Sequence, residues 1–387
     1  MDYLVPKNVQ ALREKTEKIV REVVAPKSDE VDQKAMWPEH SMRAFAKAGL
    51  LGLHVPKRLG GLGEGLMALA VLSEEIGKVD PSSALCFGMH NVGTAVMAAK
   101  PTKDQENRFL KKIAEGKHIT TLALSEHGTG AEFYVPQTEL KRDGKDFIVN
   151  GAKTFITNGS HADSYVISTK ASPEAEAIGE FNCLVLEKDA EGLTWGAPWQ
   201  GFGMRGNSSL GLTVKNASVP VANLLGEEGD QNWYVFEVVA PYFLIAMAGT
   251  YLGIAERALD EATNHLKERK HAHSGRKLAE IPVLQDSLAD LWAEVQKTRL
   301  LIYQAGILGD AGDARALDYI LMCKADVAKT AVHVVNEAMT LMGGMAYREN
   351  GIMARLLRDV RASHVMAPTT QILKSFTGRS LLGLPLI

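Results

Sequence analysis

The sequence predicts an α+β chain in which one small β barrel or sandwich lies between two helical bodies. Three observations predict it. From residue 1 to about 115, apolar positions recur at helical spacing. Residues 116–230 then change to short β-branched runs separated by turns, and long alanine-rich helices return from 231 to the end. A β portion of about a hundred residues suffices for one barrel or sandwich.

Taken in order, "VQALREKTEKIVREVVAP" predicts a helix that stops at Pro26, and "EHSMRAFAKAGLLGLHVP" repeats the pattern up to Pro56. The Gly-rich "RLGGLGEG" at 58–65 leads into the helical "LMALAVLSEEIGKVDP"; it follows no strand, so it does not predict a dinucleotide-binding turn. "TTLALSE", "TELKRDGKDFIVNGAKTFITNG", "SYVISTK", "FNCLVLEKD" and "LGLTVKN" read as strands, with Asp143-Gly144 and Asn150-Gly151 as hairpin signals. Val238 to Ala255 carries no charge and approaches the length of a membrane span. Pro241, Gly249 and Gly253 interrupt it, Glu237 and Glu256 close it, and nothing else looks membrane-bound, so a helix buried on all sides is expected. The reading divides the chain into 1–115, 116–230 and 231–387.

Composition narrows the function classes. With 43 Lys and Arg against 46 Asp and Glu, the net charge of −3 argues against nucleic-acid binding. Cys86, Cys183 and Cys323 are scattered without a CxxC, which predicts buried thiols in a reducing compartment. The N-terminal stretch has no apolar h-region, and a cytoplasmic location is expected. His265, His271 and His273 sit among Lys267, Arg269, Lys270 and Arg276, which would repel a cation; no metal site is expected.

In "GAKTFITNGS", strand alternation puts Phe155 and Thr157 on one face. A ring beside a hydroxyl donor suits a flat heteroaromatic ligand. "LALSEHGTGAE" adds the Ser125 hydroxyl, and its Gly128 and Gly130 form a turn whose amides could face a phosphate. Each feature alone also fits ordinary packing. Their order, a helical body, "LSEHGTG", "FITNG", then "ERALDEAT", "MGGMAY" and "RLLRD", resembles the acyl-CoA dehydrogenase family of flavoproteins over nearly the whole chain.

The resemblance implies an N-terminal helical domain, a middle β domain and a C-terminal four-helix bundle. It implies FAD as cofactor, an acyl-CoA or other acyl thioester as substrate, and an electron acceptor such as electron-transfer flavoprotein. It also implies a homotetramer or homodimer in which a neighbouring subunit completes the FAD site. Carried over by position, Leu122, Leu124 and Ser125 line the flavin, Phe155 flanks its ring system, and Thr157 bonds near N5. Arg269 matches a phosphate contact across the interface, Gly343 and Gly344 match glycines beside the adenosine, and Thr369 and Gln371 match further FAD contacts.

The departures concern the chemistry. The family's catalytic glutamate is replaced by Ala367, and Pro368 stands for the usual glycine. The alternative base position is Phe243, and Leu244 replaces the arginine after it; with Ala131 and Pro368, these positions are expected to line the substrate site. Ala131 and Glu132 stand where a serine and aspartate help bind the CoA arm. Removing a thioester α-proton needs a base about 3 Å away with a pKa raised toward working pH. His90 is the best substitute from sequence, His364 and Glu237 are lesser ones, and a structural role competes in each case. Arg355, Arg358 and Arg361 form a charged face with Asp359, expected to make intersubunit or internal ion pairs or to be solvated. The expected activity is α,β-oxidation of an acyl thioester with a non-standard base. The alternatives are desulfinase-like elimination, flavin monooxygenation, or a non-catalytic flavin- or thioester-binding protein.

Overall fold

The computed structural model describes residues 4–170 and 181–386. Its first body comprises α1 (Lys7–Ile19), α2 (Ser28–Lys34), α3 (Glu39–Lys47), α4 (Leu66–Gly77), α5 (Pro81–Ala99), α6 (Lys103–Gln105) and α7 (Lys111–Ala114). Local signals start these helices where the sequence supplies them. The Asp80 side chain accepts from the Ser82 and Ser83 amides ahead of Pro81, and Thr102 and Gln105 cap each other reciprocally. All of α4 and most of α5 are buried, which is why their apolar residues run all round the helix.

The middle of the chain forms two sheets. β1 (Thr120–Ala123), β4 (Ser164–Lys170) and β5 (Phe181–Glu187) make one, in the order β1-β4-β5, with β1 parallel to β4. β2 (Glu139–Asp143), β3 (Asp146–Ile156), β7 (Leu210–Pro220) and β6 (Leu193–Trp195) make the other, antiparallel in the order β2-β3-β7-β6. Phe147, Val149, Tyr165, Ile167, Leu184 and Leu212 belong to one core cluster that draws on both sheets. Asp143-Gly144 does turn β2 into β3, with Gly144 at φ +61°. Asn150-Gly151 does not: both lie inside β3, where the pairing with β7 shifts between Val149 and Gly151. A Cβ on Gly151 would stand 2.5 Å from Thr138 Oγ1, so this glycine serves a close approach at a bulge, not a hairpin.

The last body contains α8 (Gln231–Trp233), α9 (Ala240–Glu268), α10 (Pro282–Asp310), α11 (Ala316–Met342), α12 (Ile352–Val360), α13 (Ala362–Val365) and α14 (Thr370–Leu381). The uncharged run becomes α9, buried without a break from Phe243 to Ala255. Its glycines let two helices touch: a Cβ on Gly249 would meet the Ala70 carbonyl at 2.4 Å, and one on Gly253 the Glu74 carbonyl at 2.3 Å. The helix is apolar because α4 lies directly against it. Glu74 also accepts from Arg299 Nε (3.0 Å) and the Tyr303 hydroxyl (2.8 Å), tying α4 to α10.

The arginine face of α12 joins all three bodies. Arg355 bonds Asp29 (2.9 Å), and Arg358 bonds both Asp32 (2.9 Å) and the Phe202 carbonyl (3.1 Å). Asp359 is buried and accepts the Met204 amide at 2.6 Å. The arginines therefore pair with α2 and not with Asp359, which serves the loop before β7; Arg361 is exposed.

Candidate active site

The ends of β1 and β3 meet. Thr121 Oγ1 donates to the Thr157 carbonyl (2.9 Å), and the Thr154 amide donates to the Ser125 carbonyl (2.8 Å). Asn158, in the left-handed region at φ +61°, fixes the turn to the first body. Its Nδ2 donates to the Cys86 carbonyl and its Oδ1 accepts from Trp37 Nε1, both at 2.9 Å. Phe155 is held at φ +53° in the last turn of β3 and is 64% exposed. A bulky side chain at positive φ costs on the order of 1–3 kcal/mol and persists only where neighbours enforce it. Its ring meets Trp199 edge-on, 6.2 Å between centroids. Thr157 Oγ1 lies 3.4 Å from Ser209 Oγ, at the long end for a hydroxyl pair.

A buried ion pair underlies this turn. Lys153 Nζ lies 2.5 Å from Glu126 Oε1 and also donates to the Ser168 carbonyl at 2.6 Å. Glu126 accepts in addition from the Gln137 amide (2.6 Å) and Thr138 Oγ1 (2.6 Å). Burial works against ionisation of Glu126, but the Lys153 charge and these donors outweigh it and hold the carboxyl below its usual range. Burial leads at Lys153 and lowers its amine. Sequence reasoning missed this pair. A lysine inside an otherwise apolar inward run of β3 was the available signal.

Leu122 and Leu124 are buried in the apolar core beside this turn. Gly128 and Gly130 both have positive φ with open space where a Cβ would stand, and Ala131 follows them, half-buried. A cleft of about 930 Å³ opens alongside, lined by Trp37, His161, Trp199, Phe202, Arg205 and Arg358 among others. Trp37 and His161 stack there at 4.4 Å.

A second candidate segment, named by the sequence, is the turn between α13 and α14. Ala367 is half-buried, Thr369 precedes α14, and Gln371 is exposed. Buried Lys324, on α11, donates to the carbonyls of Met366 (2.9 Å) and Pro368 (2.8 Å). His364 Nδ1 lies 3.1 Å from Thr370 Oγ1, and burial followed by the charges of Arg361 and Lys324 lowers its pKa. Arg269 is exposed at the end of α9; Gly343 and Gly344 are exposed at the end of α11. Gly343 has φ +65°, yet among the described residues no atom lies within 4 Å of a would-be Cβ on either glycine.

The structure bears on the candidate base His90 and on the substrate-facing positions Phe243 and Leu244. His90 is fully buried: its Nδ1 accepts the Thr120 amide (3.1 Å) and its Nε2 faces the Leu51 carbonyl (2.9 Å). Both nitrogens are thus engaged by backbone, and burial pushes the imidazole down to about 4. It is a neutral strut between β1 and the loop before α4, not a base with access to substrate. Leu244 is wholly buried in the core and presents nothing to a CoA arm, while Phe243 is nearly so. Glu237 is exposed.

The exposed ring of Phe155, held at left-handed backbone, is of a kind that can stack on a flavin, and Ser125, Thr157, Thr369 and Gln371 carry hydrogen-bonding side chains of the kind FAD needs. Helical bodies on either side of a two-sheet domain, with an exposed ring at a strand end, are consistent with a flavin-dependent oxidoreductase. Family models for the acyl-CoA dehydrogenase N-terminal, middle and C-terminal domains match residues 6–117, 121–217 and 237–382. The chain belongs to the acyl-CoA dehydrogenase family, whose cofactor is FAD. It is 34% identical to cyclohex-1-ene-1-carbonyl-CoA dehydrogenase of Geobacter metallireducens, across 93% of this chain and 94% of that one. The enzyme of the same name from Syntrophus aciditrophicus is 33% identical, across 94% and 87%. A solved chain from the electron transferring flavoprotein of Acidaminococcus fermentans superposes with a TM-score of 0.93 at 27% identity, covering 99% of this chain and 100% of that one.

Proposed function

We propose that this chain oxidises a compact, ring-bearing acyl-CoA, with FAD as the immediate acceptor and an electron-transfer flavoprotein as the next. The observation that carries the reading is Phe155, an exposed ring held at positive φ at the end of β3, two residues before Thr157. Similarity along nearly the whole chain to two enzymes named for cyclohexene-carbonyl-CoA supports the substrate class. Bound FAD supplies a hydride acceptor. The chain's own part is placement: Phe155 flanks the ring system, Ser125 and Thr157 offer donors, and the Glu126–Lys153 pair keeps both strand ends in register. Exposed Arg269, Gly343 and Gly344, with no described residue packed over the glycines, suit completion of the site by a neighbouring subunit. Exposed Val283 and Trp292 on α10, and Leu381 and Leu382 at the C-terminal end of α14, suit burial in the same assembly. Three free, buried cysteines are compatible with a cytoplasmic setting.

A second reading follows from Ala367 and Phe243, neither of which can accept a proton. It keeps FAD and the thioester but starts with a step other than α-proton removal, such as elimination or oxygen activation. Anaerobic mixing of the yellow protein with cyclic and linear acyl-CoAs, followed by flavin absorbance, separates the two. Bleaching by a cyclic acyl-CoA and not by linear ones supports the first reading. An unbleached flavin with release of a leaving group, or rapid oxygen uptake once the flavin is reduced, supports the second. A protein that takes up no FAD overturns both.

A further inference from the structure

Lys324 is a fully buried amine with no carboxylate against it among the described residues. It sits on α11, forty-three positions before Ala367, and its two hydrogen bonds end on the carbonyls immediately before and after that residue. Burial pushes its amine down to about 7, and no opposing charge offsets that effect. Burying an amine in this way is costly, and a leucine or methionine would fill the same volume more cheaply. Core packing therefore gives no reason for a lysine here. The acceptors do: α13 ends at Val365 and α14 begins at Thr370, so the segment between them has no helical ladder to hold its carbonyls. One other side-chain bond spans this turn, from Thr370 Oγ1 to His364, and Tyr251 reaches Met366 Sδ at 3.7 Å.

We propose that Lys324 is the positioning residue of the 366–371 turn, setting where residue 367 and the cofactor contacts Thr369 and Gln371 stand. The inference rests on the FAD reading above. In this chain the device is the more exposed to test because Ala367 contributes no side-chain anchor of its own. Both bonds of the lysine end on backbone carbonyls, so its effect passes through the turn.

The test uses Lys324→Met and Lys324→Ala in the full chain, with FAD affinity, the visible circular dichroism of bound flavin and urea midpoints as readouts. Lys324→Met is expected to keep a cooperative urea transition, bind FAD at least tenfold more weakly and alter the flavin dichroism. Lys324→Ala is expected to regain FAD affinity and the native dichroism when n-butylamine is added, because the amine replaces the lost donor. Unchanged affinity and dichroism in Lys324→Met would overturn the inference. So would failure of both variants to fold with butylamine present, since the lysine would then serve the core as a whole. Folding restored by butylamine without recovery of FAD binding also counts against it. Wild-type protein that takes up no FAD sinks the site reading itself, and with it this inference.

Discussion

The two candidate turns are built differently. The turn ending β3 is fixed by its own side chains: Asn158 ties it to Cys86 and Trp37, and the pair Glu126–Lys153 locks the strand beneath it. The turn at Ala367 contributes almost none of its own fixing and is held from outside, by Lys324 and by His364. The first turn carries the ring and hydroxyl proposed to face a flavin, whereas the second carries Ala367, which cannot accept a proton. The second turn's position depends on backbone carbonyls, so the side chain at 367 is free to vary without disturbing it.

The largest effect that would sharpen this contrast is expected at Glu126. Removing one partner of a buried pair leaves the other uncompensated, at a cost of about 3–5 kcal/mol. Glu126→Ala should lose about that much in urea unfolding and lose FAD with it, while Ala367→Gly should do neither. A Glu126→Ala variant within 1 kcal/mol of wild type, a loss well below the usual range, would show that the β turn does not depend on the pair.

His90 comes next. Its native pKa near 4 lies below the unfolded value of about 6.5. Between those values the unfolded chain binds the extra proton, so this group's contribution is present above pH 6.5 and is lost as pH falls toward 4. His90→Ala strips the Thr120 amide and Leu51 carbonyl of their partner and is expected to cost about 1–3 kcal/mol at pH 7. The deficit should shrink as pH falls toward 4. Once folded, the variant should retain the wild-type pH–rate profile. Loss of one limb of that profile, with stability unchanged, would restore His90 as a base.

The same contrast explains what could be read from the sequence. The three-part architecture was legible because hydrophobic period and turn chemistry change at each junction, and family membership was legible from "FITNG" and "RLLRD". Phe155 and Thr157 do not share a face as strand alternation predicts: the register slips between Lys153 and Ile156, Phe155 turns out at positive φ and is exposed, and Thr157 is buried. The role of His90 was misjudged because its partners, Leu51 and Thr120, lie thirty or more positions away and are backbone atoms that no residue pattern reveals. Lys324 was missed for the same reason. Asn150-Gly151 reads as a hairpin in any sequence; only the approach of Thr138 makes it a bulge.

The smallest effect on stability, and the clearest on function, is expected at Phe155. Its ring is mostly exposed, so truncation removes little core, and its positive φ disfavours every side chain except none. Phe155→Gly relieves strain but gives the unfolded chain more freedom, and the two effects are of similar size. Unfolding free energy should therefore stay within about 1 kcal/mol of wild type. Phe155→Leu keeps the strain and loses the ring, so it should be slightly less stable than the glycine variant. Both should bind FAD more weakly, because each removes the aromatic face. If Leu binds FAD as well as Phe while Gly does not, what matters at this position is bulk at a strained backbone and not an aromatic ring. The β turn would then resemble the Ala367 turn more closely, as a placed backbone whose side chain can change.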